Sequence, residues 1–134
     1  MPHTKVLDAF AVLAFLYDEP GAETIQNLLS DAGEGKINLV MCTVNLGEVW
    51  YWVSRLASPE AADYSIQELQ AMGVEIMDAD WEVTHQAAVY KARGNIFYAD
   101  TFAAALAKLR SCPVVTGDRE FKQLGEEIEI EWLS

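Results

Sequence analysis

The chain has 134 residues, 51% of them hydrophobic, and a formal net charge of -12. That length and apolar content suit one compact core without disulfides or a structural zinc, so residues 1–134 are expected to form a single domain. The acidic balance excludes unspecific nucleic-acid binding, which rests on Lys and Arg displacing counterions from phosphates; no apolar run approaches the ~20 residues that cross a bilayer, and no basic segment leads into an apolar signal core, so the chain reads as soluble and cytoplasmic.

Taken in order, the segments alternate in hydrophobic period, which predicts an α/β domain with a mainly parallel sheet covered by helices. Lys5 to Ala9 reads as the first strand and Ala11 to Asp18 as a short helix. Glu19-Pro20-Gly21 breaks that helix, and Ala22 to Leu29 restarts one with Ile25, Leu28 and Leu29 on one side. A turn at Gly33, Gly35 and Lys36 precedes the strand Ile37 to Met41. Asn45 and Glu48 then have the spacing of a capping box, which predicts a helix over Leu46 to Leu56.

Ser58-Pro59-Glu60 opens the next helix, which carries Ile66 and Leu69 and stops near Gly73, before a strand at Val74 to Met77. From Asp80 the pattern Val83, Ala87, Tyr90 is helical and ends in Lys91 and Arg93 before Gly94, a cationic last turn followed by a glycine. Asp100 to Leu109 is an alanine-rich helix suited to close packing on a sheet. Pro113 to Thr116 is a strand, Arg119 to Leu124 a short helix, and Ile128 to Trp132 a last strand whose alternating glutamates suit a charged edge.

Four carboxylates stand where apolar segments end or helices begin: Asp8, Glu48, Asp100 and Asp118. In open parallel sheets, sites form beyond the carboxyl ends of the strands, and Asp8 and Asp118 are placed there. Each also fits a purely structural role. Glu48 completes a capping box with Asn45, Asp100 suits the N-cap of its helix, Asp118 caps the helix from Arg119 or holds a turn, and Asp8 has no strong capping role. If the four converge, two carboxylates ~4 Å apart repel by about 4 kcal/mol at an effective dielectric of about 20, and a hard divalent cation with oxygen ligands resolves the conflict. Such a site serves metal-assisted phosphodiester hydrolysis, and bound metal makes it locally attractive to phosphate despite the net charge. The acidic surface also suits a basic protein partner.

The other reactive residue types carry less. Cys42 and Cys112 adjoin apolar strands and read as small buried hydrophobes, while His3 and His85 are far apart and match no zinc spacing. Lys91, Arg93, Arg119 and Lys122 flank the proposed site and are candidates to position the phosphates of a substrate; equally, the first pair complements a helix C-terminus and the second a solvated helix face. Val49-Trp50-Tyr51-Trp52-Val53 is apolar around a whole helix. Its core side is expected to take Leu46, Val49, Trp50 and Val53, leaving Tyr51 or Trp52 for a subunit or partner contact.

The segments Val6–Leu13, Asn45–Val49, Ala99–Ala107 and Val114–Phe121, with their acidic residues, together resemble a PIN domain, and the small single-domain form resembles the VapC-type toxins of toxin-antitoxin pairs. The resemblance implies a three-layer α/β/α fold and a Mg²⁺- or Mn²⁺-dependent endoribonuclease. In it, Asp8, Glu48, Asp100 and Asp118 bind metal and activate water, and Thr116 is the hydroxyl residue that fixes a carboxylate or water. It also implies a homodimer and inhibition by a small antitoxin covering the active-site groove. Gly47 before Glu48 and Phe97-Tyr98 before Asp100 depart from the usual pattern. Two other readings stand beside this one: a PIN-like RNA- or protein-binding module without activity, and another Mg²⁺-dependent phosphate hydrolase or receiver-type domain. The latter lacks the second acidic residue its patterns require, because Ala9 and Phe10 follow Asp8.

Overall fold

The computed structural model describes residues 3–133. Five parallel strands, β1 (His3–Leu7), β2 (Ile37–Cys42), β3 (Val74–Met77), β4 (Val114–Thr116) and β5 (Ile130–Trp132), form one sheet in the order β3-β2-β1-β4-β5. The helices are α1 (Ala9–Leu16), α2 (Ala22–Gly33), α3 (Thr43–Leu56), α4 (Pro59–Ala71), α5 (Trp81–Arg93) and α6 (Tyr98–Arg110), with a 3₁₀ turn at Arg119–Leu124. None of the described helices is long and apolar enough to cross a membrane.

Strand alternation divides the core in two. Val6, Val40 and Val114 face α5 and α6, whereas their neighbours Leu7, Leu39 and Val115 face α1 to α4. Adjacent residues of one strand point to opposite faces, so each central strand needs apolar residues at every position when both faces are covered. The result is the three-layer α/β/α arrangement expected. Alanines 103, 104, 105 and 107 of α6 are essentially inaccessible, and their small side chains let this helix sit close to the sheet and α5. Cys42 is buried, Cys112 half-buried, and both are free thiols; His3 and His85 are exposed.

The order 3-2-1-4-5 places β1 and β4 side by side although the chain leaves them toward opposite halves of the sheet. A crevice opens at the carboxyl end of such a switch point because the following connections diverge. Asp8 leaves β1 there and Asp118 follows β4.

Helix starts differ from expectation in instructive ways. The capping box is absent: α3 begins at Thr43 with Cys42 as its N-cap, so Asn45 lies inside the first turn and is fully buried. Asp100 is also within a first turn, because Phe97 is the N-cap of α6. Asp8, by contrast, caps α1: its Oδ1 accepts from the Ala11 amide at 2.9 Å. Trp50 does not enter the core, being 37% exposed with its indole N–H donating to Asp63 Oδ1 at 2.8 Å, which ties α3 to α4. The edge strand β5 is shorter than predicted, and Glu131 on it pairs with Lys5 at 2.7 Å.

Candidate metal centre

Asp8 is the deepest acidic group, at 1% exposure. Its two oxygens have separate tasks. Oδ1 caps α1, while Oδ2 accepts from the Thr116 hydroxyl at 2.5 Å, across 108 residues of sequence. The same hydroxyl accepts from the Asp118 amide at 3.0 Å, so a continuous hydrogen-bond chain links the end of β1 to the loop after β4. Asp118 in turn caps the 3₁₀ turn, its Oδ1 accepting from the Glu120 amide at 2.9 Å. The caps and the convergence therefore coexist: backbone donors orient these carboxylates without consuming all their lone pairs.

Asp100 reaches the crevice from α6. One oxygen from each of Asp100, Asp118 and Glu120 lies within 4.8 Å of the others. Glu48, from α3, shares a cleft of about 730 Å³ with Asp100 and Asp118. Asp8 lies under this floor, close enough for its charge to be felt by Asp100.

Burial and crowding act against ionisation. Asp8 is pushed up to about 7, chiefly by burial, with the charges of Asp118 and Glu48 adding to the rise and the Thr116 and Ala11 hydrogen bonds opposing it. Asp100 is pushed up to about 8 by burial and then by Asp118, Glu48 and Asp8. Burial also raises Glu48, against the hydrogen bond from Asn45. Among the described residues no Lys or Arg lines the cleft to offset this charge. Clustered carboxylates without a cationic side chain form an all-oxygen donor set that fits a hard divalent cation such as Mg²⁺ or Mn²⁺.

A PIN domain family model matches residues 5–127. The chain belongs to the PIN domain family. Solved structures agree on the fold at low sequence identity. The promoter-bound VapBC2 complex of Rickettsia felis contains a chain 18% identical with a TM-score of 0.74, the alignment covering 98% of this chain and 99% of that one. DNA-bound VapBC of Salmonella typhimurium gives 22% and 0.72, with 98% of each chain covered. VapC20 of Mycobacterium tuberculosis, described as a sarcin-ricin loop cleaving toxin, gives 16% and 0.70, with 90% of this chain and 95% of that one covered. Among curated protein sequences none matches. PIN membership replaces the receiver-type and other-hydrolase readings.

The cleft of this PIN domain has an acidic floor and apolar walls. Phe10, Leu13, Tyr51, Trp52, Phe97 and Tyr98 line it, and Tyr51 and Trp52 are 39% and 42% exposed. The four basic candidates lie outside this lining. Lys91 donates to the Ile96 carbonyl at 2.8 Å, and Arg93 forms a two-pronged pair with Glu127 at 2.6 and 3.1 Å over the Tyr90 ring. Arg119 and Lys122 are exposed on the 3₁₀ turn.

Two polar residues of the site escaped the sequence reading. Glu120 offers an oxygen to the Asp100–Asp118 cluster, and its Oε2 is buried without a hydrogen-bond partner. The spacing Asp118-x-Glu120 on one tight turn was its only sequence signal. Asn45 was seen only as a cap, although its amide reaches Glu48 and the Ala99 carbonyl.

Proposed function

We propose that this PIN domain is a Mg²⁺- or Mn²⁺-dependent endoribonuclease, and that it acts as the toxin of a type II toxin-antitoxin pair. The observation that carries this reading is the convergence of Asp100 and Asp118 oxygens beside Glu48, with Asp8 tied to the same loop through Thr116. Asp8, Glu48, Asp100 and Asp118 would hold the ion, directly or through water, with Thr116 fixing the Asp8 carboxylate against rotation. When bound, such an ion lowers the pKa of a water and offsets negative charge on a phosphodiester.

The protein's own contribution is orientation. Asp8 is locked by two hydrogen bonds, Asp118 by its cap on the 3₁₀ turn and Glu48 by Asn45, so the donors are in place before substrate arrives. The exposed aromatic walls would be covered only by a substrate or partner in the cleft, which would then displace water from the floor and strengthen charge interactions there. No histidine or covalent nucleophile is required by this scheme. Arg119 and Lys122, free of ion pairs among the described residues, would meet RNA phosphates leaving the cleft.

Two features support a regulated toxin. Neighbours of the same fold are VapBC assemblies, and one is a toxin that cleaves the sarcin-ricin loop. The exposed Tyr51–Trp52 pair, with ring centroids 5.8 Å apart beside the acidic floor, suits coverage by an antitoxin segment or a second subunit in a homodimer. Incubating purified protein with RNA and Mn²⁺, alongside a chelator control and Asp8→Asn, tests the reading. Mn²⁺-dependent cleavage that vanishes in both controls is expected; full cleavage by Asp8→Asn would refute the site assignment, and none by the wild type would favour a binding module.

A further inference from the structure

Asn45 is a fully buried amide in the first turn of α3. Its single NH₂ group donates twice, to Glu48 Oε1 at 3.2 Å and to the Ala99 carbonyl at 2.9 Å, the latter across 54 residues of sequence. Ala99 is the residue before Asp100 in α6. One side chain thus bridges the two helices that supply Glu48 and Asp100. The amide cannot be reversed, because its oxygen would then face a carboxylate and a carbonyl, both acceptors.

The other end of the amide sharpens the point. Asn45 Oδ1 is buried with no hydrogen-bond partner among the described residues, and an unpaired buried acceptor is destabilising. A side chain chosen for helix stability alone would not carry that penalty in a first turn that needs no cap from it. A hydroxyl supplies one hydrogen where two acceptors are waiting, and a carboxylate supplies none and adds a like charge beside Glu48. Two uncharged donors on a short stem are what this place requires.

We propose that Asn45 is a positioning residue for divalent-ion binding: it aims the Glu48 carboxylate at Asp100 by anchoring it to the α6 backbone. The proposal rests on the ion-binding reading above. It acts through Glu48, so its effect depends on that carboxylate being present.

Mn²⁺ binding measured by calorimetry on wild type, Asn45→Ala, Glu48→Gln and the double variant tests this, with thermal unfolding in chelator reporting the fold. Asn45→Ala is expected to weaken Mn²⁺ about tenfold or more, as loss of a partner behind a metal ligand does. In the Glu48→Gln background the same change is expected to add nothing, which a general packing defect would not reproduce. Asn45→Thr, which keeps volume but loses the NH₂, serves if Asn45→Ala unfolds. Wild-type affinity in Asn45→Ala or Asn45→Thr, or losses that multiply in the double variant, would overturn the proposal. A wild type that binds no Mn²⁺ would overturn it together with the ion reading, whereas Mn²⁺ binding without RNA cleavage would sink the nuclease alone and leave this comparison decisive.

Discussion

Asp8 and Asp100 stand at about 7 and about 8 in the folded protein against 3.8 when free in solution, so folding takes up protons between these values. A carboxylate raised on folding contributes stability that is complete below its unfolded pKa and is lost as pH rises through its folded pKa. The metal-free protein is therefore expected to lose stability steadily from about pH 4 to about pH 8, opposite to a carboxylate held in a salt bridge. A divalent ion that binds only the folded state reverses this. Thermal unfolding with and without Mn²⁺ checks it: the increase in Tm on adding the ion should be larger at about pH 8 than at about pH 5, and an equal increase would contradict the crowded-carboxylate account.

The same argument separates stability from activity at one residue. Asp8→Asn keeps side-chain volume and the ability to cap α1, since Asn and Asp cap about equally well, but it removes a charge that the buried site resists. In chelator at about pH 8, Asp8→Asn is expected to melt above the wild type, by about 3–5 °C for each kcal/mol gained in a domain of this size. With Mn²⁺ in place of chelator, RNA cleavage by the same variant should be absent while the wild type cleaves. A lower Tm would mean that the Thr116 and Ala11 hydrogen bonds to the carboxylate outweigh its burial.

At the scale of elements, the loop after β4 and the start of α1 are built as one unit. A Cβ placed on Gly117 would lie 2.3 Å from Phe10 Cε1, so the backbone between Thr116 and Asp118 passes directly against that ring. Gly117→Ala must displace the Phe10 ring or the loop, and because that ring is 45% exposed the loss is expected to lie below the ~1–3 kcal/mol of overpacking a closed core. Urea unfolding of Gly117→Ala, Phe10→Ala and the double variant checks the contact. The double variant is expected to be more stable than the sum of the two losses predicts, and simple additivity would show that Phe10 is not the obstacle.

Those elements were legible in the sequence where short-range rules decide. Strands such as Val6-Leu7 and Val114-Val115 are apolar at consecutive positions because helices cover both faces, and that run is visible without a structure. The α3 start was not, because Asn45 and Glu48 at capping-box spacing imitate a helix N-cap, whereas the Asn45 amide donates to the Glu48 side chain and to a carbonyl in α6. Asp8 was misjudged in the other direction: it caps α1 one residue after β1 ends, with no loop between to announce the helix. That four acidic residues lie near element ends was readable, but the proximity of Glu120 to Asp100 and Asp118 depends on where Asp100 arrives in space.

For the whole molecule, the net charge of -12 sets the terms on which it meets its partners. Under the proposed function an RNA substrate would approach a like-charged protein, and among the described residues no Lys or Arg lines the cleft. Typical nucleic-acid binders lose affinity steeply as salt rises, because the counterions their phosphate contacts displace gain less entropy on release into a saltier solution. Here the bound ion would supply the main phosphate contact and Arg119 and Lys122 at most two more, while the rest of the net-acidic surface repels, and monovalent salt screens that repulsion within about 8–10 Å, offsetting the counterion loss at those two contacts. At saturating Mn²⁺, kcat/KM for a short single-stranded RNA is expected to stay level or rise between about 50 and 200 mM KCl. A basic antitoxin should behave in the opposite way, its association slowing over the same range as steering by opposite charge is screened. The two titrations together distinguish substrate from inhibitor by the sign of their salt dependence; a fall of several powers of ten in RNA cleavage would show that cationic side chains outside the cleft carry the binding.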